Sequence, residues 1–186
     1  MSRQAKQPID LEPLELWEYA AVIPKLPYHW QLVYRILWET GIRIGEALKL
    51  TKKDLTDQGI WVTRLKKQNK PQRDHIPLPL DLLAALKAYA ALRAGQKLFP
   101  YTTAGAWKAL KMACEDAGIR RSLHPHLFRH GFARRVAKAN LGLSPLDHIA
   151  LLQRMLAHSS ARTTLGYFKP SMGEAADIFR QIQGDS

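Results

Sequence analysis

Three short stretches of the sequence concentrate residues that can bind an anion or transfer a proton. The first reads Thr40-Gly-Ile-Arg-Ile-Gly-Glu-Ala-Leu-Lys-Leu50, and its Arg43 follows a glycine break at the start of a predicted helix. Glu46 lies one turn later, so its carboxylate can reach back to the helix start or to Arg43. A solvated surface ion pair is the alternative interpretation of these two residues.

The second stretch reads His124-Pro-His-Leu-Phe-Arg-His130. Pro125 suits a helix start, which places His126, Arg129 and His130 on one helix face. Partly buried histidines that cap a helix are the alternative interpretation. His126 and His130 also have the i, i+4 spacing of a zinc pair. No Asp, Glu or Cys lies close by in the sequence, and Arg129 would repel a dication, so no metal site is predicted.

The third stretch reads Leu156-Ala-His-Ser-Ser-Ala-Arg-Thr-Thr-Leu-Gly-Tyr167. His158 precedes Tyr167 by nine residues, with a polar turn between them. Because Tyr167 follows a glycine, we expect it on an accessible and adjustable segment. A tyrosine that packs against the core is the alternative interpretation.

The elements that must position these stretches follow from hydrophobic periodicity and from glycine and proline positions. Asp10 is the predicted cap of the first helix, and Thr102 or Thr103 that of the helix over residues 104–117. Helices are predicted over residues 11–22, 30–39, 44–50, 80–92, 104–117, 125–139, 145–156 and 174–183, with a short turn over 161–168. Extended stretches at 59–63 and 74–78 indicate a β-hairpin with a basic connection. The sequence therefore predicts a mainly α fold with a small antiparallel sheet, in the α+β class.

The composition favours a soluble, basic, single-domain protein. The chain has 186 residues, with 28 Lys and Arg against 16 Asp and Glu, which gives a net charge of +12. A balance this basic indicates a polyanionic partner, with a merely basic surface as the alternative. A single cysteine, Cys114, excludes a disulfide framework. No apolar run approaches the roughly 18 residues of a membrane span, so a cytoplasmic location is predicted.

Taken in order, the three stretches resemble the catalytic domain of the tyrosine recombinases, the phage integrase family. The matching features are an Arg after Thr-Gly, a His-x-x-Arg, and a His nine residues before a Tyr. The resemblance covers residues 10–180 and extends to the minimal fimbrial-inversion recombinases. It departs from the family in Leu-Ala-His at 156–158, where Leu-Gly-His is usual, and in a longer stretch around 141–148.

The resemblance implies a set of site residues and a reaction. The implied catalytic residues are Arg43, Lys66, His126, Arg129, His158 and Tyr167, with Glu46, Lys67 and His130 in support. Lys67 is the alternative to Lys66 as the lysine of the hairpin turn. In the family, the tyrosine forms a covalent phosphotyrosyl link to DNA, and no metal or other cofactor is required.

The resemblance also implies partners and a domain organisation. It implies double-stranded DNA as substrate, a homotetramer on that DNA, exchange of helix 174–183 between protomers, and accessory DNA-binding proteins. Contacts with backbone phosphates are expected from Arg64, Lys70, Arg73, Arg120, Arg121, Arg134 and Arg135. Residues 1–8 are expected to be a flexible tail and 9–186 the catalytic domain, without the family's usual N-terminal DNA-clamping domain. A catalytically inactive DNA-binding module and a type IB topoisomerase are the alternative functions.

Overall fold

Helices joined by short turns and one β-hairpin make up the part of the chain that this computed structural model describes, residues 13–65, 71–157, 164–169 and 180. The α-helices are α1 (Leu16–Val22), α2 (Tyr28–Thr40), α3 (Ile44–Ala47), α4 (Leu80–Leu92), α5 (Thr103–Asp116), α6 (Pro125–Lys138) and α7 (Pro145–Met155). The strands are β1 (Gly59–Leu65) and β2 (Pro71–Pro77), and short 3-10 helices cover Ile23–Lys25, Lys52–Asp54 and Gly166–Phe168. The predicted fold class is therefore confirmed. None of the helices described is long and apolar enough to cross a membrane.

Backbone contacts group the chain into two compact units, residues 1–133 and residues 134–186. The first unit holds a continuous apolar core to which α2 contributes most. Its Leu32, Val33, Ile36 and Leu37 are buried at helical spacing. Gly41 ends α2 in the left-handed conformation (φ 65°), and its N–H donates to the carbonyl of Leu37 at 2.9 Å. The turn after α2 therefore depends on a residue that can adopt the left-handed backbone conformation, which glycine does without steric cost.

Two of the predicted helices are shorter than expected. α1 begins at Leu16 because the Glu18 carboxylate accepts the N–H of Glu15 at 2.9 Å, which caps the helix there. The predicted cap, Asp10, lies outside the described residues. α3 ends at Ala47, and the residues up to Leu50 form a turn. The helices predicted over 80–92, 104–117 and 145–156 are confirmed, and the Thr102 hydroxyl accepts the N–H of Gly105 to cap α5.

The hairpin pairs its strands antiparallel, with Ile60 opposite Ile76 and Leu65 opposite Pro71. This register starts the second strand three residues earlier than predicted and shortens the connection to residues 66–70. Ile60 and Val62 are fully buried, so alternate residues of β1 face the core. Arg64 follows them at the same period on this inner face.

A glycine allows the first turns of α6 to pack closely against α2. A Cβ built on Gly131 would lie 2.5 Å from a ring carbon of Trp38 and 2.9 Å from the carbonyl oxygen of Leu14. Only a residue without a side chain fits this contact. Gly131 comes two residues after Arg129, so this close packing also sets the depth of Arg129 in the core.

The second unit contains the end of α6, α7 and the 3-10 helix at Tyr167. Ser144 caps α7 by accepting the N–H of Asp147 at 3.2 Å, and Pro145 occupies the first helical turn. Thr164 is buried, whereas Tyr167 and Phe168 are half-buried. The predicted helix 174–183 lies outside the described residues.

Candidate active site

Arg43 lies at the N-terminus of α3, where local hydrogen bonds set its direction. The Glu46 carboxylate accepts the backbone N–H of Arg43 at 2.8 Å and its Nη1 donor at 3.1 Å. The Arg43 side chain is 46% exposed, whereas that of Glu46 is 11% exposed. The carboxylate therefore holds the arginine from the protein side and leaves its guanidinium facing solvent. This confirms the predicted contact between the two residues.

Arg129 is buried in α6, with 1% of its surface exposed. Its Nη1 donates to the carbonyl oxygen of Gly41, the residue that ends α2. An arginine presents five N–H donors in a rigid fork, so one strong bond fixes the orientation of the whole group. The left-handed turn at Gly41 and the close contact at Gly131 together determine where this guanidinium lies.

Both arginines line one open cavity of about 390 Å³ in the first unit. We call it the arginine cavity. Its lining residues are Ile42, Arg43, Ile44, Gly45, Glu46, Lys49, Trp107, Pro125, His126 and Arg129. Three residues predicted from two separate sequence stretches, Arg43, His126 and Arg129, thus meet at one surface. A concave site with two permanently charged forks suits a phosphate or another oxyanion.

His126 is in a form that can accept a proton. Loss of solvent around its ring lowers the pKa of His126 below the usual 6.5, and the charges of Arg129, His124 and Arg43 lower it further. The lowered pKa favours the neutral imidazole, which can accept a proton. His130 packs edge to face on His126, with ring centroids 4.5 Å apart, and its predicted supporting role stays a prediction.

Trp107 and Lys49 line the arginine cavity without having been predicted from the sequence. The Trp107 ring is 47% exposed and stacks on His124, with centroids 5.6 Å apart. Helical spacing did not single it out, because Trp107 lies on the same side of α5 as the buried Leu110 and Cys114. An exposed tryptophan of this kind is typical of binding surfaces.

Arg64, which the resemblance implies as a contact for DNA phosphate, is not on the surface of the protein. Arg64 is 3% exposed, because strand alternation places it on the inner face of β1. Its Nε lies 3.0 Å from a carboxylate oxygen of Asp74 on β2. Burial lowers the pKa of Arg64, and the nearby charge of Arg43 lowers it further, while Glu46 and Asp74 raise it. Arg64 is a buried cation near the Arg43–Glu46 pair.

Arg121 also has a structural role in place of the predicted phosphate contact. Its Nε and Nη2 both donate to the Glu18 carboxylate at 2.5 Å, and Nη2 donates to the carbonyl of Pro13 at 3.1 Å. Because Glu18 is 2% exposed, this pair is buried between α1 and the segment before α6. The guanidinium therefore binds the protein's own carboxylate.

The other basic residues predicted to contact phosphates are distributed over both units. Arg120 and Arg135 are exposed. Arg73 is 54% exposed, with an ion pair to Asp54 at 2.7 Å and its guanidinium 5.4 Å from the Trp61 ring centre.

Tyr167 lies in the second unit, on the 3-10 helix Gly166–Phe168. Arg134 donates to its carbonyl oxygen at 2.8 Å. We call residues 164–169 the tyrosine turn. The remaining predicted site residues, Lys66, Lys67, Lys70 and His158, lie outside the described residues, so their roles stay predictions.

The features of this site match one protein family. The phage integrase family profile matches residues 12–174, and the chain therefore belongs to the phage integrase family. The tyrosine recombinase XerA of Thermococcus onnurineus is 28% identical over 196 residues, covering 95% of this chain and 64% of that protein. The narrower resemblance to fimbrial-inversion recombinases stays a prediction.

Solved structures share the fold. A crystal structure of XerA recombinase aligns with a TM-score of 0.70 at 22% identity, over 97% of this chain and 66% of that chain. The Tn1549 transposon integrase (residues 82–397), solved in complex with circular intermediate DNA, aligns with a TM-score of 0.67 at 21% identity, over 93% of this chain and 66% of that chain. The chain spans less than two thirds of the length of curated relatives that it matches.

Proposed function

We propose that this protein is a site-specific DNA recombinase that cleaves and rejoins DNA strands through a covalent 3′-phosphotyrosyl intermediate on Tyr167. The observation that carries the proposal is the arginine cavity, where Arg43, Arg129 and His126 line one surface. Membership of the phage integrase family supports the reading of this cavity as a phosphate site. The named activity of XerA and the DNA bound to the Tn1549 integrase support the substrate class.

Arg43 and Arg129 would bind the two non-bridging oxygens of the scissile phosphate. Negative charge builds up on these oxygens in the transition state, so fixed donors stabilise it more than they stabilise the ground state. Burial and the Gly41 carbonyl hold Arg129 in place before DNA binds, and Glu46 does the same for Arg43. Removing one such donor typically costs about 3–4 kcal/mol of transition-state stabilisation.

The proposed reaction exchanges one phosphorus–oxygen bond for another and needs no cofactor. The Tyr167 phenol oxygen attacks phosphorus, the bond from phosphorus to the 5′ oxygen breaks, and a phosphotyrosyl ester forms. Tyrosine has a usual pKa of about 10, so its proton needs an acceptor, and neutral His126 is the described group suited to take it. Lys66, or Lys67 as the alternative, would give a proton to the departing 5′ oxygen, and His158 would bind the phosphate. Rejoining reverses the steps with a new 5′ hydroxyl.

The partners follow from the same proposal. The substrate is double-stranded DNA, bound along the exposed arginines Arg120, Arg135 and Arg73. We propose that four copies assemble on DNA, with helix 174–183 exchanged between protomers and accessory DNA-binding proteins contributing to specificity. In that reading residues 9–186 form the catalytic domain, and the protein acts in the cytoplasm, where the DNA is.

A covalent adduct tests the proposal. Nicked suicide duplexes would be made from the DNA flanking the encoding gene, chosen by its inverted repeats, and incubated with the protein in EDTA. We expect a protein–DNA adduct that resists denaturation with the wild-type protein and none with Tyr167→Phe. An adduct that persists in Tyr167→Phe would contradict the assignment of the nucleophile. Binding without an adduct on every duplex would favour a non-catalytic DNA-binding module.

A further inference from the structure

The side chain of Arg134 is bonded to the backbone that carries Tyr167. Arg134 lies near the end of α6, and its Nη1 donates to the carbonyl oxygens of Tyr167 at 2.8 Å and Lys169 at 2.5 Å. The residue is half-buried, and both acceptors belong to the tyrosine turn. The sequence predicts a phosphate contact for Arg134, whereas the structure directs its guanidinium at peptide oxygens.

The two carbonyls lie where a helical turn needs outside donors. Tyr167 is the central residue of a three-residue 3-10 helix, and Lys169 follows with extended backbone (φ −71°, ψ 135°). The last carbonyls of a helix have no partner within it, and a cationic side chain there supplies donors and complements the helix dipole. A 3-10 helix this short has few hydrogen bonds of its own. The Arg134 contact therefore supplies donors to this turn from outside it.

A second contact holds the residue next to Tyr167. The Phe168 ring meets the His148 ring edge to face, with centroids 5.1 Å apart. His148 belongs to α7, and its Nε2 lies 2.7 Å from the carbonyl oxygen of Val136 on α6, to which it donates. The turn is thus held at the Phe168 ring and at the two backbone carbonyls that Arg134 bonds.

Gly166 gives the tyrosine turn freedom that these contacts restrain. A Cβ built on Gly166 would meet no atom within 4 Å, and its backbone is outside the left-handed region. No steric reason therefore requires a glycine here. Glycine loses more conformational entropy on ordering than any other residue. A turn that contains such a residue gains order from contacts with other elements.

We propose that Arg134 is a positioning residue for Tyr167: it holds the carbonyls of the tyrosine turn and so sets where the phenol is presented, in place of contacting DNA. This inference rests on the proposed function, in which Tyr167 is the nucleophile. Orientation contributes strongly to catalysis, and a misplacement of about 1 Å can cost about 100-fold in rate. Arg134 acts through the backbone and touches no reacting atom.

Single-turnover cleavage and DNA binding separate a positioning role from a phosphate contact. Arg134→Ala and Arg134→Lys would be compared with Arg135→Ala, which removes the same charge from the adjacent, exposed residue. Binding would be titrated with a random-sequence duplex at several salt concentrations, and cleavage measured with the nicked suicide duplexes at saturating concentration.

We expect Arg134→Ala to lower the cleavage rate by about tenfold or more, with duplex affinity and salt slope close to wild type. Arg134→Lys should restore part of the rate, because Nη1 alone makes both bonds and one ammonium nitrogen can also donate to two carbonyls. Arg135→Ala should lower affinity and reduce the salt slope by about 0.9. A loss of duplex affinity and of salt slope in Arg134→Ala equal to that in Arg135→Ala would indicate a phosphate contact.

Backbone amide hydrogen exchange tests the contact between Arg134 and the tyrosine turn without requiring DNA cleavage. The amides of residues 164–169 should exchange faster in Arg134→Ala than in wild type or Arg135→Ala. Unchanged exchange, with a salt slope reduced by about 0.9 in Arg134→Ala, would overturn the proposal. If wild type forms no adduct on any duplex, the proposed function fails, and the exchange comparison still decides whether Arg134 holds the turn.

Discussion

The arginine cavity and the tyrosine turn are held in place by different means. Arg129 is 1% exposed and bonded to the end of α2, and the core around it is closely packed. Tyr167 is half-buried on a three-residue 3-10 helix that begins at an unconstrained glycine. Arg129 is thus built into the core, whereas the proposed nucleophile lies on a turn whose described contacts include the Arg134 bonds and the ring contact between Phe168 and His148. Charge stabilisation requires donors fixed before the reaction, while a nucleophile that forms and breaks a covalent bond benefits from an adjustable segment.

The largest effect is expected from Arg129→Lys, which tests whether the arginine cavity is fixed in advance. A lysine keeps the charge but cannot bond the Gly41 carbonyl and a phosphate with one planar fork. We expect the cleavage rate at saturating DNA to fall by about 100- to 1,000-fold. Arg35→Lys, at an ion pair with Asp81 outside the site, is the matched control and should cleave as wild type does. A cleavage rate for Arg129→Lys within about threefold of wild type would show that the arginine cavity does not depend on a fixed guanidinium, and the contrast with the tyrosine turn would fail.

His126 gives the next largest effect and a pH dependence. Its pKa is lowered by loss of solvent and by the neighbouring arginines, so the neutral base persists below the usual 6.5. The cleavage rate should therefore fall on acidification with a midpoint below pH 6.5. His126→Asn should lower the neutral-pH rate by about 100-fold and remove this acid limb. The control His75→Asn, on the outer side of the hairpin, should keep the acid limb of the pH–rate profile. If His126→Asn also kept that limb, the limb would belong to another titrating group.

Two glycines sharpen the contrast in packing. Gly131→Ala would place a methyl group 2.5 Å from Trp38, and we expect it to lower the free energy of unfolding by about 1–3 kcal/mol. Gly166→Ala meets no atom within 4 Å and should change that free energy by less than about 1 kcal/mol, toward greater stability. Urea unfolding of both variants measures the difference. Equal destabilisation would show that the tyrosine turn is as tightly packed as the core.

The smallest effect separates a surface arginine from a buried one. Arg120→Ala should reduce the salt slope of binding to a random-sequence duplex by about 0.9, because an exposed arginine can release a counterion from DNA. Arg121→Ala should leave the slope unchanged, because its guanidinium is bonded to Glu18. Its cost should appear in the free energy of unfolding, since it leaves a buried carboxylate without its partner. If Arg121→Ala reduced the salt slope of DNA binding, Arg121 would be a phosphate contact after all.

The sequence predicted the local part of this structure well and the long-range part poorly. The Thr102 cap, the left-handed Gly118 (φ 70°) after α5 and the hairpin follow from residues close together in the chain. Motif spacing also selected Arg43, His126 and Arg129, which the structure brings to one cavity.

The errors concern residues whose partners lie far away in the sequence. Arg121 bonds Glu18, 103 positions earlier, and no local pattern indicates that pair. Arg64 is different, because the alternation of Ile60 and Val62 already indicated its inner position. Its positive charge suggests an exposed side chain, whereas the alternation of the strand indicates a buried one, and here the alternation is the better guide. The chemistry of Lys66 and His158 stays a prediction, because both lie outside the described residues.

The bond from Arg129 to the carbonyl of Gly41 also makes loss of the site cooperative. The first turns of α6 cannot separate from the end of α2 without bringing a core guanidinium into water and leaving a carbonyl without its donor. If α6 separated from α2, the arginine cavity would therefore lose the proposed phosphate site completely, with no partly formed site remaining. On heating, we expect activity and the burial of Trp38 to be lost in a single transition. Under the proposed function, the protein would be unable to cleave DNA whenever this unit is not fully folded.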